Sequence, residues 1–177
     1  MNRRLLVMSL AAGVLSAAGG PRAAAAAEGT VALIPAPVLR GAAGNGKVVT
    51  DAIRASLENQ GFRVLPESQV KGALRGVDMR KPIPVRDLAA LRARLGAGYV
   101  VYPRVMSVGS PLNDGQTFQA TVLVNVLGKT GSSFLHTRQI GQEFRQGNTK
   151  PETAVIPRGQ ADVLAGKLLD GFYSRAK

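Results

Sequence analysis

Glycines and a lysine between residues 41 and 47 have nearly the spacing of a phosphate-binding loop. The run Gly-Ala-Ala-Gly-Asn-Gly-Lys places four residues between its first glycine and a Gly-Lys pair, which is the pattern of nucleotide-binding loops. In such loops the backbone N–H groups and the start of the next helix hold the anion. The candidate anion-binding residues are therefore Gly41, Gly44, Gly46 and Lys47.

Val48 weakens the nucleotide interpretation of this loop. Loops that bind magnesium nucleotides carry a hydroxyl at this position as a metal ligand, and valine has none. No later predicted strand ends in an aspartate suited to the second metal contact. The pattern therefore favours a plain flexible loop in which Asn45 caps the following helix. A small-anion site and a nucleotide-binding site stay as alternatives.

Basic residues are concentrated between residues 71 and 94. The seven cations there are Lys71, Arg75, Arg80, Lys81, Arg86, Arg92 and Arg94, against two acids, Asp78 and Asp87. Such a patch attracts phosphates, anionic lipid head groups or an acidic protein surface. No aromatic residue occurs from Arg63 to Gly98, so base stacking is excluded there and sequence-specific nucleic-acid binding is not expected. A solvated helical face without a partner is the alternative.

Other catalytic chemistry lacks its residues. The chain has no cysteine and one histidine, His136, so thiolate metal sites and thiol nucleophiles are excluded. An isolated imidazole in an alternating strand, in a sequence without a Gly-x-Ser-x-Gly motif, is typical of a surface or edge residue. The eleven acidic residues are scattered rather than paired. We therefore expect a non-enzymatic protein with no metal and no cofactor.

The first 27 residues have the pattern of an export signal. Arg3 and Arg4 precede an apolar run from Leu5 to Val14, and a run of small residues ends at Ala27, as in a cleaved signal peptide. Glycines and a proline interrupt the apolar stretch, so a membrane anchor is the less favoured alternative. We expect residues 1–27 to be removed and residues 28–177 to form a single domain in the periplasm or another extracytoplasmic compartment. The general and twin-arginine export routes both stay open.

Composition sets the character of the mature domain. The whole chain of 177 residues carries a net charge of +12, and without Arg3, Arg4 and Arg22 it keeps 20 basic and 11 acidic residues, a net charge of +9. A chain without cysteine has no site for the lipid of a lipoprotein, so we expect a soluble or peripherally attached protein. About 150 residues can bury a sufficient core without disulfides.

Apolar periodicity predicts alternating strands and helices in the first half of the mature chain. The predicted elements are a strand at 30–34, a helix at 47–60 ended by Gly61, a strand at 62–65, a short helix after Pro66 and a helix at 84–95. Spacing of three and four residues marks the helices, and short β-branched runs mark the strands.

The period changes from helical to alternating after residue 98. Strands are predicted at 99–108, 117–127 and 133–144, with turns at 113–115 and 128–131, and a closing helix follows at 159–175. The sequence therefore predicts one α/β (α+β) domain in the order β-α-β-α-α-β-β-β-α. Its helices cover a mixed sheet that contains an antiparallel three-strand meander.

Three segments resemble a known bacterial pattern. They run from Thr30 to Pro35, from Ile53 to Leu65 and from Leu91 to Val101. They resemble the α/β domain shared by the amino-terminal part of TolB and the secretion protein CsgG. In that group a strand ending in proline leads to a helix ending L-x-x-x-G-F-x-V, and a later A-x-x-L-G-A-x-Y-V-V leads into a hairpin. In that group the second hairpin turn carries K-T-G, as Lys129-Thr130-Gly131 does here.

The resemblance implies a binding or scaffold role, because that group uses the domain as a non-enzymatic part of envelope assemblies. It carries over no catalytic residue. The implied protein is a freestanding, non-lipidated relative, an accessory component of envelope transport or assembly with an envelope protein partner. The alternatives are an anion- or nucleotide-binding protein using the Gly41–Lys47 loop, and a charge-driven binder of anionic lipid or surface polymer. Self-association stays open.

Overall fold

A computed structural model describes residues 29–112, 114–147 and 149–176. Within these residues the strands are β1 Thr30–Leu33, β2 Arg63–Val64, β3 Tyr99–Gly109, β4 Thr117–Leu127 and β5 Phe134–Arg145. The helices of the same residues are α1 Gly44–Asn59, α2 Glu67–Ala73, α3 Val85–Leu95, α4 Arg158–Leu169 and α5 Phe172–Arg175. The predicted export signal, residues 1–27, lies outside the described residues and stays a prediction.

The strands form one mixed sheet in the order β2-β1-β3-β4-β5. Strand β1 pairs in parallel with both β2 and β3, whereas β3, β4 and β5 form an antiparallel meander. All four residues of β1 are buried, as expected for a central parallel strand covered on both faces. The predicted single α+β domain with its meander is confirmed.

Local sequence explains where α1 ends and where α3 begins and ends. Gly61 follows α1 with φ +85°, and Gly96 ends α3 in the left-handed conformation with φ +61°, where a residue without a Cβ is favoured. Pro84 precedes α3 and fixes the backbone before its first turn. These boundaries agree with the sequence prediction to within a few residues.

The sheet divides the molecule into two layers of helices. On one face, α1, α4 and α5 pack over a buried apolar cluster that includes Ile53, Leu164 and Phe172. On the other face, α2 and α3 cover a separate cluster that includes Val70 and Leu88. We call residues 67–95 the α2–α3 layer.

Two elements differ from the sequence prediction. Helix α1 begins at Gly44, three residues earlier than expected, because the glycine-rich segment enters the helix. The closing helix divides into α4 and α5, since Asp170 is extended and Gly171 has φ +79°. This break turns Phe172 into the core, where its ring lies 5.4 Å from that of Phe62 and 5.4 Å from that of Tyr99.

Candidate functional site

The Gly41–Lys47 segment lies where the chain passes from β1 to α1. Gly44, Gly46 and Lys47 belong to the first turn of α1, and Gly41 precedes the helix with φ +114°. The N–H groups of Asn45 and Gly46 donate to the carbonyls of Ala42 and Ala43 at 3.1 Å each. Two donors of the helix start are thus already paired within the chain.

Asn45 does not cap α1 as predicted. Its side chain is fully buried, and its Nδ2 donates to the carbonyls of Ala42 at 3.0 Å and Ala154 at 2.9 Å. Its Oδ1 accepts the N–H of Ile156 at 2.8 Å. A buried amide that satisfies both its donor and its acceptor in this way holds the segments that it joins in place. Asn45 therefore joins the start of α1 to the segment before α4.

Gly46 lets α1 approach the end of β1 closely. A Cβ at this position would lie 2.4 Å from the carbonyl oxygen of Ala36, inside van der Waals contact. Thr50, one turn later, accepts the N–H of Ala36 at 2.9 Å and donates to the carbonyl of Gly46 at 2.7 Å. Close packing of helix and strand end thus gives Gly46 a structural role.

A crevice of about 430 Å³ lies beyond the carboxyl end of β1. We call it the β1 crevice. It brings together three anion-binding candidates, Gly41, Gly46 and Lys47, and one member of the basic cluster, Lys71. Gly44 does not line it. Ligands of open sheets with parallel strands often bind at such strand ends.

Both lysines of the β1 crevice face carboxylates. The Nζ of Lys47 lies 2.6 Å from Asp51, and the Nζ of Lys71 lies 2.6 Å from Glu67. Each pair spans one helical turn and is largely exposed, so it adds little stability. The four charges balance, which leaves no net positive field from these groups for an anion.

The predicted basic cluster lies entirely in the α2–α3 layer. Six of its members are exposed, and Arg92 is half-buried, with its Nη1 3.4 Å from the carbonyl of Ala97. Lys81 lies 3.9 Å from Asp78, and Arg86 lies 3.2 Å from Asp87. Among the described residues, no ion pair is recorded for Arg75 or Arg80. The cluster therefore presents unneutralised positive charge on one side of the molecule.

An apolar groove of about 570 Å³ opens between α2 and α3. We call it the α2–α3 groove. Lys81 and Arg94 of the basic cluster line it together with Asp78 and Asp87, and its apolar walls include Leu74 and Ile83. This groove was not predicted from the sequence. The available signal was that two apolar residues, Leu74 and Val77, follow α2 within an otherwise charged connection.

The buried titratable side chains make structural contacts. Burial raises the pKa of Tyr102 against an opposing effect of Arg104, and the Tyr102 hydroxyl donates to the carbonyl of Lys81 at 3.4 Å. Burial also raises the pKa of Tyr173, whose hydroxyl lies 2.7 Å from the Oγ of Ser56. Both phenols therefore stay protonated near neutral pH.

His136 lies on the edge strand β5, but its side chain is buried rather than at the surface as expected. Its Nε2 lies 2.8 Å from the carbonyl of Leu168. The break after α4 places that carbonyl within reach, which the alternating pattern of β5 does not reveal. The imidazole thus links the edge strand to α4.

Within the part of the chain that the structure describes, no group of three or more His, Cys, Asp or Glu side chains is placed to hold a metal ion. No helix among the same residues combines the length and apolar character needed to cross a membrane.

Comparisons with known proteins find this fold in bacterial structures. No protein-family model matches the sequence, and no curated protein sequence matches it significantly. The lipoprotein GNA1162 from Neisseria meningitidis superposes with a TM-score of 0.56 and 12% identity, covering 82% of this chain and 98% of its own. The hypothetical protein CT253 from Chlamydia trachomatis gives 0.57 and 11%, covering 83% and 96%.

A third structure, the PelC dodecamer from Paraburkholderia phytofirmans, gives a TM-score of 0.50 and 12% identity, covering 79% of this chain and 85% of its own. At such identities the likeness shows the fold alone. The chain therefore has an α+β fold that solved bacterial proteins share, a lipoprotein among them. These structures are neither TolB nor CsgG proteins, so the narrower family interpretation stays a prediction.

Proposed function

We propose that the protein is a non-enzymatic accessory protein of the bacterial cell envelope that binds a protein partner through the α2–α3 layer. One observation carries the proposal: the basic cluster lies in one layer, which also holds an apolar groove lined by two of its members, Lys81 and Arg94. Unneutralised charge beside apolar surface is typical of a protein-binding surface. The shared fold with a bacterial lipoprotein supports an envelope setting.

The proposal includes export and location. Residues 1–27 act as a cleaved export signal, and residues 28–177 work outside the cytoplasm, soluble or peripherally attached. The protein serves an envelope transport or assembly system as an accessory component, in the manner of the TolB and CsgG group that its sequence resembles. No cofactor and no metal take part.

Charge reversal within the layer tests the proposal. The triple variant Arg75→Glu, Arg80→Glu, Lys81→Glu changes three exposed cations. The matched control is Arg145→Glu, Lys150→Glu, Arg158→Glu, which makes the same charge change at exposed positions outside the layer. Crosslinking in the native envelope, followed by mass spectrometry, measures the partner set of each variant. We expect the first triple variant to lose partners that the control keeps. Equal partner sets for both variants and the wild type contradict the proposal.

Anionic vesicles separate a protein partner from a charge-driven binding to lipid or surface polymer. Cosedimentation at low and high salt measures attraction by charge alone, which screening weakens. Strong vesicle binding that both triple variants lose equally favours lipid or polymer, because it depends on net charge and not on the α2–α3 layer.

A small anion in the β1 crevice is the second candidate function. The specific observation is that Gly41, Gly46, Lys47 and Lys71 line one crevice at the carboxyl end of β1. An anion there would replace Asp51 and Glu67 as the partner of the two lysines. Calorimetric titration with inorganic phosphate and with nucleotides tests it, using Lys47→Ala, Lys71→Ala as the matched variant. Heat that this variant abolishes supports an anion site, and a flat titration of the wild-type protein contradicts it.

A further inference from the structure

The α2–α3 groove is long enough to bind a short helix. Helix α3 contributes Asp87, Ala90, Leu91 and Arg94 to it, which recur at one face of α3 over about two turns. Seven residues of helix rise about 10 Å. The facing wall comes from Leu74 and the residues that follow α2. An incoming helix with apolar residues at a spacing of three and four matches this length.

The groove leaves apolar surface without a partner in the chain. Val77 on its wall is 41% exposed, and Ala90 is also exposed. A volume of about 570 Å³ has room for two or three apolar side chains of a ligand. The walls come from helices and their connection, so no free strand edge is offered there. An incoming segment must therefore pair its own backbone groups, which a helix does.

The charged side chains that line the groove itself balance, since Lys81 and Arg94 stand against Asp78 and Asp87. Charge selection therefore falls on the flanks of the incoming helix. Arg75 and Arg80 lie in the connection that borders the groove, and no described carboxylate is recorded in an ion pair with either. Arg94 is held differently, since its guanidinium donates to the carbonyl of Ala73 and closes the end of the groove beside α2. Asp and Glu on the incoming helix would complement Arg75 and Arg80.

We propose that the α2–α3 groove binds an acidic amphipathic helix of a partner protein, which inserts two or three apolar side chains. This inference rests on the proposed function and adds the chemistry of the partner. The positive charge of this chain disfavours two other occupants, its own residues 1–27 and a second copy. Residues 1–27 contain three arginines and no acidic residue, and a second copy carries the same net charge of +12, or +9 without those arginines.

Site-specific photocrosslinking in the native envelope identifies the occupant. A photoreactive phenylalanine derivative replaces Val77 at the groove, and the same residue replaces Val163 as the control, an exposed valine of α4 on the opposite face. We expect a product specific to position 77 whose crosslinked peptide carries Asp or Glu around apolar residues at helical spacing. A product with residues 1–27, with a second copy or with lipid overturns the inference, as does the absence of a product specific to position 77.

Filling the groove without changing its charge tests the apolar contact. Ala90→Trp places an indole in the groove, whereas Ala93→Trp places one at an exposed position of α3 that does not line it. Circular dichroism and thermal melting establish that each variant is folded, and Ala90→Leu is a second, smaller obstruction that also leaves the charge unchanged. We expect Ala90→Trp to reduce the yield of the position-77 product at least about tenfold, while Ala93→Trp leaves it unchanged.

The two proposals fail in different ways. If both tryptophan variants keep the product while the Arg75, Arg80, Lys81 reversal removes it, the groove inference is wrong and the basic surface still binds the partner. If the charge reversal also leaves every partner in place, the proposed function itself is wrong.

Discussion

The two helical layers on either side of the sheet differ in what holds them. On the α1 side, long helices cover the larger apolar cluster, and the buried amide of Asn45 joins α1 to the segment before α4. On the other side, α2 has seven residues and the connection to α3 is charged and exposed. Most residues of the first layer serve to pack the core. The second layer exposes cations and a groove that core packing does not require, so we expect the binding surface on this side.

Removing the amide of Asn45 should have the largest effect of the predictions that follow. Asn45→Ala leaves buried backbone groups of Ala154 and Ile156 without their partner, at a cost of about 3 kcal/mol of unfolding free energy. The melting temperature should fall by about 6 to 12 °C. Asn59→Ala, at an exposed position of the same helix, is the control and should change stability little. Equal melting of the two variants would show that this layer does not depend on the buried amide.

Gly46 should come next, because its hydrogen faces a backbone carbonyl. Gly46→Ala places a methyl group 2.4 Å from the oxygen of Ala36, and the required shift should cost about 2 kcal/mol. Gly44→Ala meets Val155 at an ordinary 3.5 Å and should leave stability equal or slightly higher, since alanine favours a helix over glycine. Urea unfolding measures both. A Gly46→Ala variant as stable as the wild type would remove the packing explanation for this glycine.

The order of the elements could be predicted from the sequence, whereas the roles of Asn45 and Gly46 could not. Period and turn chemistry predicted the order of elements, because the apolar residues of α1, the alternation of β4 and the ends at Gly61 and Gly96 are local signals. The roles of Asn45 and Gly46 depend on contacts that are not local. Ala154 and Ile156 are distant in sequence from Asn45, and Ala36 meets Gly46 from the segment that follows β1. A local motif cannot distinguish a glycine that binds phosphate from one that packs against a strand.

The candidate binding surfaces also divide into one that local sequence predicted and one that only the fold reveals. Counting cations located the basic cluster, and all seven members lie in one layer. The α2–α3 groove was missed because its walls come from two helices whose mutual position only the fold determines. The burial of His136 was missed for a similar reason, since the carbonyl of Leu168 that it meets belongs to the last turn of α4, just before the helix break.

Reversing the charges of Arg75, Arg80 and Lys81 should leave the free energy of unfolding almost unchanged. Exposed substitutions each change the free energy of unfolding by about 0.5 kcal/mol or less, and the exposed Lys81–Asp78 pair at 3.9 Å contributes little. Urea unfolding of the triple variant should therefore agree with that of the wild type within about 1.5 kcal/mol. A larger loss would mean that the layer's charges hold the fold, and the separation of packing from binding would fail.

The smallest effect should come from the turn between β3 and β4, where a carboxylate acts through hydrogen bonds. The Oδ1 of Asp114 accepts the N–H groups of Gln116 at 2.9 Å and Thr117 at 2.7 Å. These bonds, from Thr117 first, lower the pKa of Asp114 to about 2. A folded-state pKa below the unfolded value means that the contribution is present above about pH 4 and is lost as the pH falls through about 2.

Asp114→Asn isolates this contribution because the amide oxygen can still accept hydrogen bonds but does not titrate in this range. Thermal melts between pH 5 and pH 2 should show a slightly smaller fall for Asp114→Asn than for the wild type, and the difference should persist in added salt, since it comes from hydrogen bonds rather than from a charge pair. Partner binding at the α2–α3 layer should instead weaken with salt. If salt removed the pH difference at Asp114 while leaving partner binding unchanged, electrostatics would have been assigned to the wrong region of the molecule.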